Sequence, residues 1–522
     1  MEGSTVATEV VEQRTAPRFG SRTADIVVGA AILVGLVALS LFLRTRAIHV
    51  GYWIDEGLSV GIASFPLTDI PGVLRQDGSP PLYYMLLHVW IGWFGTGEEA
   101  THALSVLFSL LAIPAALWAG WSLFGRRAGY VAALLAALNP FLTIYAQETR
   151  MYSLVMLLSL VATATFLHAY AFGRRAYVPA FSLSLALLLY THNWAVFFIF
   201  GTFVALVVIA RDEVERRRQL LVDAAIGYGV ALVVWAPWIP TFLEQARHTG
   251  APWSKRPSPL SLIDAFVIVL AGQGAAVAIL LAGAVGLRTL LGRSQARTAV
   301  LATLAITATT LLTAWLGSQI SPAWAPRYLG VLVGPTILFV AGAVPRARRI
   351  GLAALVLLVA FWLPFTVADR KENADVIGQL YGPIVGKDDV VISTQPEQVP
   401  VLAYYLGRDK HYATPLGPTR ETRVMDWRDV LPKLEAATPP KTLRPMLDAM
   451  PVGGRVFLVR PRFRNDGPWS APWTSEVRTK SHDWKLALQF DSRFEQTAVY
   501  SPYTDGVRRA LVVEIYEKTS AG

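Results

Sequence analysis

The sequence predicts a mainly α, polytopic membrane protein with a separate C-terminal α/β domain. Three observations carry that expectation. Of 522 residues, 53% are hydrophobic and only 16% charged, and the mean hydropathy is positive. Apolar runs near the length a bilayer crossing requires, about 20 residues, recur between 26 and 367. Beyond 367 the chain turns polar for about 150 residues without another such run.

Residues 1–24 are polar, with no small-residue cleavage site after the first apolar run, so they read as a disordered cytoplasmic tail and not as a signal peptide. Eleven spans are expected at 26–43, 102–124, 129–145, 152–172, 177–190, 194–210, 220–238, 262–287, 299–317, 328–344 and 350–367. The apolar stretch PLYYMLLHVWIGWFG, 81–95, is short for a crossing and suits a helix lying in the interface. Parity agrees. If 81–95 does not cross, the Arg-rich loops with Arg126 and Arg127, Arg174 and Arg175, 211–218, 288–297 and 346–349 all fall on the amino-terminal side, as the positive-inside rule requires. Arg44 and Arg46 oppose that rule at the outer end of the first span.

The opposite, outer side then holds one long loop, 45–101, with Asp55, Glu56, Asp69, Asp77 and His88, and the shorter turns 147–152, 190–194, 239–261 and 321–328. The membrane part is expected over 25–367 and the extracytoplasmic domain over 368–522. Within the latter, DDVVIST reads as a strand and EQVPVLAYYLG as a helix, while GGRVFLVRPRF, WKLALQF and RRALVVEIYEK read as strands.

Several classes are excluded. The chain has no cysteine, hence no disulfide and no thiolate metal site. It also lacks a Gly-rich phosphate loop, an HExxH helix and a GxSxG elbow. The net charge of +10 follows from topology, because the arginines sit in short inter-span loops, so no nucleic-acid partner is expected.

The outer level gathers carboxylates at Asp55, Glu56 and Glu148, cations at Arg150 and Arg327, and His88 and His192. Acids and cations at one level suit acid/base work on a phosphorylated substrate. A sugar hydroxyl becomes nucleophilic as it loses its proton to a positioned carboxylate, and a departing lipid phosphate needs cationic donors. Arg327, beside Tyr328, is a lone cation on the side where cations are disfavoured, which marks it for function.

The ordered stretches WIDEGLSVGIA, DGSPPLYYMLLHVWIGWFG, LFGRRAGYVAALLAALNPF, YAQETRMYSL and SPAWAPRYL resemble the GT-C class of membrane glycosyltransferases. The resemblance is greatest to the bacterial branch related to protein O-mannosyltransferases and lipid A aminoarabinose transferases. It implies an inverting transferase that takes a sugar, a mannose-like hexose or an arabinose-like pentose, from a polyprenyl monophosphate donor to a glycan, lipid or protein acceptor of the cell envelope, at the outer face of the cytoplasmic membrane. It maps the acid that acts as base or binds the acceptor onto Asp55, with Glu56 beside it, and the holding of the donor phosphate onto Arg150, His192 and Arg327. With Asp55 as the expected base, Glu56 and Glu148 are expected to orient it or bind sugar hydroxyls, and His88, Tyr152 and Tyr328 complete the expected substrate-binding set. The sequence departs from the aminoarabinose transferases in carrying THNW where a lysine-bearing loop is expected. Asp55, Glu56 and Glu148 are oxygen ligands that suit a divalent metal, but monophosphate donors do without one, so no metal and no cofactor is expected. Two other classes stay open. A flippase or transporter for lipid-linked sugar would place polar groups or broken helices near the midplane; a non-catalytic protein binding envelope polymers would tolerate loss of Asp55.

Overall fold

The computed structural model describes residues 19–289, 294–367, 370–463, 470–501 and 510–521. Apolar segments become helices because a backbone removed from water must satisfy its N–H and C=O groups internally. Helix α1 (Phe19–Thr45) leads into three short helices, α2 (Ile54–Ala63), α3 (Ile70–Asp77) and α4 (Leu82–Phe94), before the long α5 (Glu98–Phe124). Helices α6 (Arg126–Leu138) and α7 (Pro140–Ala146) are bent by 48° at Asn139. There the Asn139 side-chain oxygen accepts the Phe141 N–H at 2.7 Å and caps α7, whose first residue is Pro140. Next come α8 (Tyr152–Phe166), continued by a π turn, α9 (Val178–Leu189), α10 (Ala195–Asp212), α11 (Arg217–Trp235) and α12 (Ile239–His248). Helices α13 (Ser261–Val269) and α14 (Gln273–Arg288) meet at 92°. Ala271 and Gly272, with φ of 52° and 148°, end the first of them. Helices α15 (Gln295–Ile320), α16 (Val333–Ala343) and α17 (Arg348–Trp362) complete the bundle.

All eleven expected segments are helical. By length and composition, however, seven helical stretches among the described residues suit a crossing, or nine when each bent pair counts as one. The difference lies in α9, which has 12 residues, and in α16 and α17, which count as one stretch although Arg348 at φ 52° breaks it. The segment 262–287, expected as a single span, is the right-angled pair α13–α14. Of the expected disordered tail, residues 1–18 lie outside the described residues, and α1 begins at Phe19, before the expected limit at 24.

The Arg-rich loops gather at one end of the bundle. Arg175 pairs with Asp223 at 2.8 Å, Thr298 donates to Asp212 at 2.7 Å, and the Arg346 guanidinium lies 5.8 Å from the Phe124 ring centroid. Arg44 is fully buried and donates to the Ser109 carbonyl at 2.7 Å and the Ala136 carbonyl at 2.5 Å, clamping α1 to α5 and α6.

The C-terminal domain contains α18 (Ala374–Tyr381), β1 (Val390–Ser393), α19 (Val399–Leu406), β2 (His411–Thr414), β3 (Gly417–Thr419), α20 (Val430–Ala436), α21 (Arg444–Ala449), β4 (Arg455–Pro461), α22 (Pro472–Gln489), β5 (Phe494–Tyr500) and β6 (Leu511–Lys518). Its sheet runs β3-β2-β1-β4-β6-β5, with β1 parallel to both β2 and β4 and the remaining pairs antiparallel. The stretch WKLALQF is the end of α22 and not a strand: Trp484 and Leu488, four apart, are buried on one helical face.

The bundle and this domain share apolar cores. Tyr52 and Val60 pack with residues of α18, α19 and the sheet, and Trp53, Ile54 and Leu58 pack with Met425, Trp427 and Trp473. Helix α2 approaches so closely that a Cβ on Gly57 would overlap Val401 and one on Gly61 the Arg423 carbonyl.

Candidate active site

Between the bundle end opposite the Arg-rich loops and the C-terminal domain lies a cavity of about 830 Å³. The start of α2, the α3–α4 turn and residues near 150, 192, 250 and 325 form one wall, and Glu397, Trp427 and Trp473 contribute to the other.

Asp55 stands in the first turn of α2 and lines the cavity. Its Oδ2 is buried without a hydrogen-bond partner, 3.6 Å from Nη2 of Arg327. Glu56, the next residue, points into protein. It is fully buried: Oε1 faces Nε2 of His102 at 2.6 Å and accepts the Thr149 N–H at 2.8 Å, Lys371 Nζ donates to both oxygens, and Oε2 accepts the Trp53 N–H at 3.3 Å. The last contact caps α2, so Glu56 fixes the turn on which Asp55 rides. Burial by itself would raise the Glu56 carboxyl, but Lys371 and His102 outweigh it and hold the group down at about 2. Lys371 also donates to the Gln147 carbonyl at 2.6 Å.

Arg150 is buried, and its Nη1 donates to the Ser59 hydroxyl at 3.1 Å, the Tyr84 hydroxyl at 3.2 Å and the Asp55 carbonyl at 3.3 Å. Its Nε has no partner, nor does Nε of Arg327 or the hydroxyl of Tyr152. The rings of His192, Tyr152 and Tyr328 pack together at centroid distances of 4.9 Å for His192–Tyr328 and 6.1 Å for Tyr152–His192. Nδ1 of His192 accepts the Trp194 N–H at 3.1 Å, leaving Nε2 to carry the hydrogen. Burial, with Arg150 and Arg327 adding to it, pushes His192 down to about 3, so the ring is a neutral donor. Two guanidinium groups, a phenol and an imidazole N–H thus converge on one wall with donor capacity unused, which is an anion-binding arrangement.

Six of the nine expected residues, Asp55, Arg150, Tyr152, His192, Arg327 and Tyr328, line the cavity, and three do not. Glu56 lies behind it. His88 sits on α4 with Nδ1 against the Ala63 carbonyl at 2.8 Å, because that face of the helix packs on α2. Glu148 is half-buried next to the site with Oε2 unpartnered. Burial, reinforced by the nearby Glu56 and Asp55 charges, pushes it up to about 7 against the opposing Lys371 and Arg327. Sequence reading missed Asp77, which lines the cavity and is raised by burial, and it missed Lys371, Glu397, Trp427 and Trp473. Trp253 also lines the cavity and was missed; of these residues only it and Asp77 lay in the membrane-part loops already placed at this level. Among the described residues, no group of three His, Cys, Asp or Glu side chains is arranged to hold a metal ion.

No protein-family profile and no curated protein matches the sequence. Solved structures do match its fold. ArnT from Cupriavidus metallidurans is similar over 94% of this chain and 98% of its own, with a TM-score of 0.63 and 16% identity in the apo state; bound to undecaprenyl phosphate the TM-score is 0.59 at 17% identity. The oligosaccharyltransferase AglB from Archaeoglobus fulgidus, in complex with an inhibitory peptide and a dolichol-phosphate, matches with a TM-score of 0.54 and 12% identity over 91% of this chain and 73% of its own. The arabinofuranosyltransferase AftD from Mycobacteria matches with a TM-score of 0.51 and 16% identity over 94% of this chain and 41% of its own. The chain therefore has the GT-C-type membrane fold with a C-terminal α/β domain that its sequence predicted.

Proposed function

We propose that this protein is an inverting glycosyltransferase that takes a sugar from a polyprenyl monophosphate donor. The observation that carries the reading is the Asp55 carboxylate, with a free Oδ2, standing 3.6 Å from Arg327 on the same wall as a set of unused donors. An acceptor hydroxyl whose proton passes to Asp55 attacks the anomeric carbon of the donor. The new oxygen–carbon bond forms as the bond from that carbon to the phosphate oxygen breaks, and a single displacement inverts the centre. The electron pair leaves on the polyprenyl phosphate, where Arg150, Arg327, Tyr152 and the Nε2–H of His192 receive the added charge. Arg327 lies between base and phosphate and serves both, and Glu148 sets the local charge behind them. The mechanism routes no step through a metal or other cofactor.

The fold shared with ArnT and AglB, whose structures hold undecaprenyl phosphate and a dolichol-phosphate, supports a donor of this class. The arginine-rich end of the bundle supports an orientation with that end in the cytoplasm, which puts the cavity and the C-terminal domain outside. The sugar we propose is a mannose-like hexose or an arabinose-like pentose, passed to a cell-envelope acceptor. The test is incubation of the purified protein with radiolabelled polyprenyl-phosphate mannose and polyprenyl-phosphate arabinose plus envelope acceptors, beside Asp55→Asn. Transfer by the wild type and its loss in the variant is the expected outcome; equal transfer by both would remove Asp55 as the base, and consumption of neither donor would remove the reading.

A further inference from the structure

The wall of the cavity facing Asp55 has its own chemistry. Glu397, just before α19, is buried at 5% exposure. Its Oε1 accepts two N–H groups, from Gln395 at 2.7 Å and from the Trp473 indole at 2.8 Å, while Oε2 is buried with no partner. A buried carboxyl with one oxygen doubly held and the other left open is costly unless something else fills it. Three indoles adjoin it in a row: Trp253 and Trp427 at a centroid distance of 4.6 Å, Trp427 and Trp473 at 5.3 Å. All three line the cavity, and Trp253 Nε1 is also without a partner. Burial pushes Glu397 up to about 7, against its Gln395 and Trp473 bonds, and the Asp55 charge contributes to the rise. Glu397 therefore lies within electrostatic reach of the base.

This arrangement selects among acceptors. A sugar ring offers C–H bonds that pack on indole faces and hydroxyls that donate to a carboxylate, both within one small rigid body. Resting on the glycosyltransferase reading above, we propose that Glu397 with Trp253, Trp427 and Trp473 forms an acceptor subsite for carbohydrate, so that the nucleophilic hydroxyl belongs to a sugar residue and not to a serine or threonine of a protein. Glu397 Oε2 takes a neighbouring hydroxyl of the acceptor sugar, which turns the reacting hydroxyl toward Asp55.

The test uses the full chain in lipid nanodiscs with radiolabelled polyprenyl-phosphate mannose or arabinose. The acceptor probes are octyl α-mannopyranoside, octyl α-arabinofuranoside and a threonine-containing peptide, and slow release of free sugar to water is measured alongside. Label should enter a glycoside and not the peptide. Glu397→Gln keeps an oxygen for Trp473 and Gln395 but reverses the polarity at Oε2; it should raise the glycoside KM about tenfold, the value of one buried hydrogen bond, and leave the donor KM within about twofold. Trp253→Ala, in a half-buried loop, should shift the same KM in the same direction. Labelling of the peptide alone, or an unchanged glycoside KM in both variants, would overturn the subsite while leaving the transferase reading intact. So would Asp55-dependent release of free sugar with no acceptor labelled. Neither release nor transfer by the wild type would overturn both.

Discussion

Arg327 stands 3.6 Å from Asp55 without giving its carboxylate a hydrogen bond. A fully engaged pair would neutralise both groups. At this separation each keeps free capacity for a substrate atom. Replacing Asp55 with Asn removes the proposed proton acceptor but preserves shape, so kcat should fall by ~10²- to 10⁴-fold, the usual contribution of a positioned base, with donor KM little changed. Single-turnover transfer from labelled donor measures it.

Arg327→Ala and Arg150→Ala should differ. Arg327 contributes charge to the cavity, and its loss should raise donor KM by ~10- to 100-fold, as for a charge-assisted contact of a few kcal/mol. Arg150 additionally holds Ser59, Tyr84 and the Asp55 carbonyl, so its loss should lower kcat and thermal stability together. Donor titrations and melting curves of the two variants in the same detergent separate these effects.

Breaking the Glu56–Lys371 pair should loosen the C-terminal domain from the bundle. Lys371→Met leaves the buried Glu56 carboxylate with His102 and two backbone N–H groups but without its full cation, a loss of at most roughly 3–5 kcal/mol, read as a lowered midpoint in thermal unfolding. The pH dependence has a definite sign. Because folding lowers the Glu56 carboxyl from 4.5 to about 2, its contribution is present above about 4.5 and is lost as the pH falls toward 2. Acidification through that window should therefore destabilise the wild type more than Glu56→Gln.

Glu148 gives the activity its own pH signature. With the group raised to about 7, it acquires charge as the pH passes upward through neutrality and places a negative charge near the anionic donor. Donor KM should rise from pH 6 to pH 8, about one unit either side of that value, and Glu148→Gln should flatten the rise. His192→Gln should leave that limb in place, since the ring, lowered to about 3, does not titrate there.

Much of this architecture was legible in the sequence, because long apolar runs have few physical outcomes in a bilayer. The same holds for one wall of the cavity: Asp55, Arg150, His192 and Arg327 lie in turns whose side follows from counting spans. Glu56 shows where such counting stops. It is Asp55's neighbour in sequence, but the helical step of 100° turns it toward His102 and Lys371. Lys371 and Glu397 are more than 300 positions from Asp55, and nothing local in the chain announces that they meet it. The WKLALQF stretch misled because alternating apolar residues over seven positions also fit a helix face at spacing four.

The two glycines of α2 define what can be exchanged between proteins of this design. Gly57 and Gly61 lie flush against Val401 and the Arg423 carbonyl, within two turns of Asp55. The short helix is therefore seated on the C-terminal domain as much as on the bundle that precedes it in the chain. A chimera built by cutting the chain at residue 368 would separate a helix from its seat; one that transplants 54–63 together with 370–521 would carry the seam intact. The unit of inheritance for acceptor choice is in that sense discontinuous, a ten-residue helix and a distant domain that must be matched to each other.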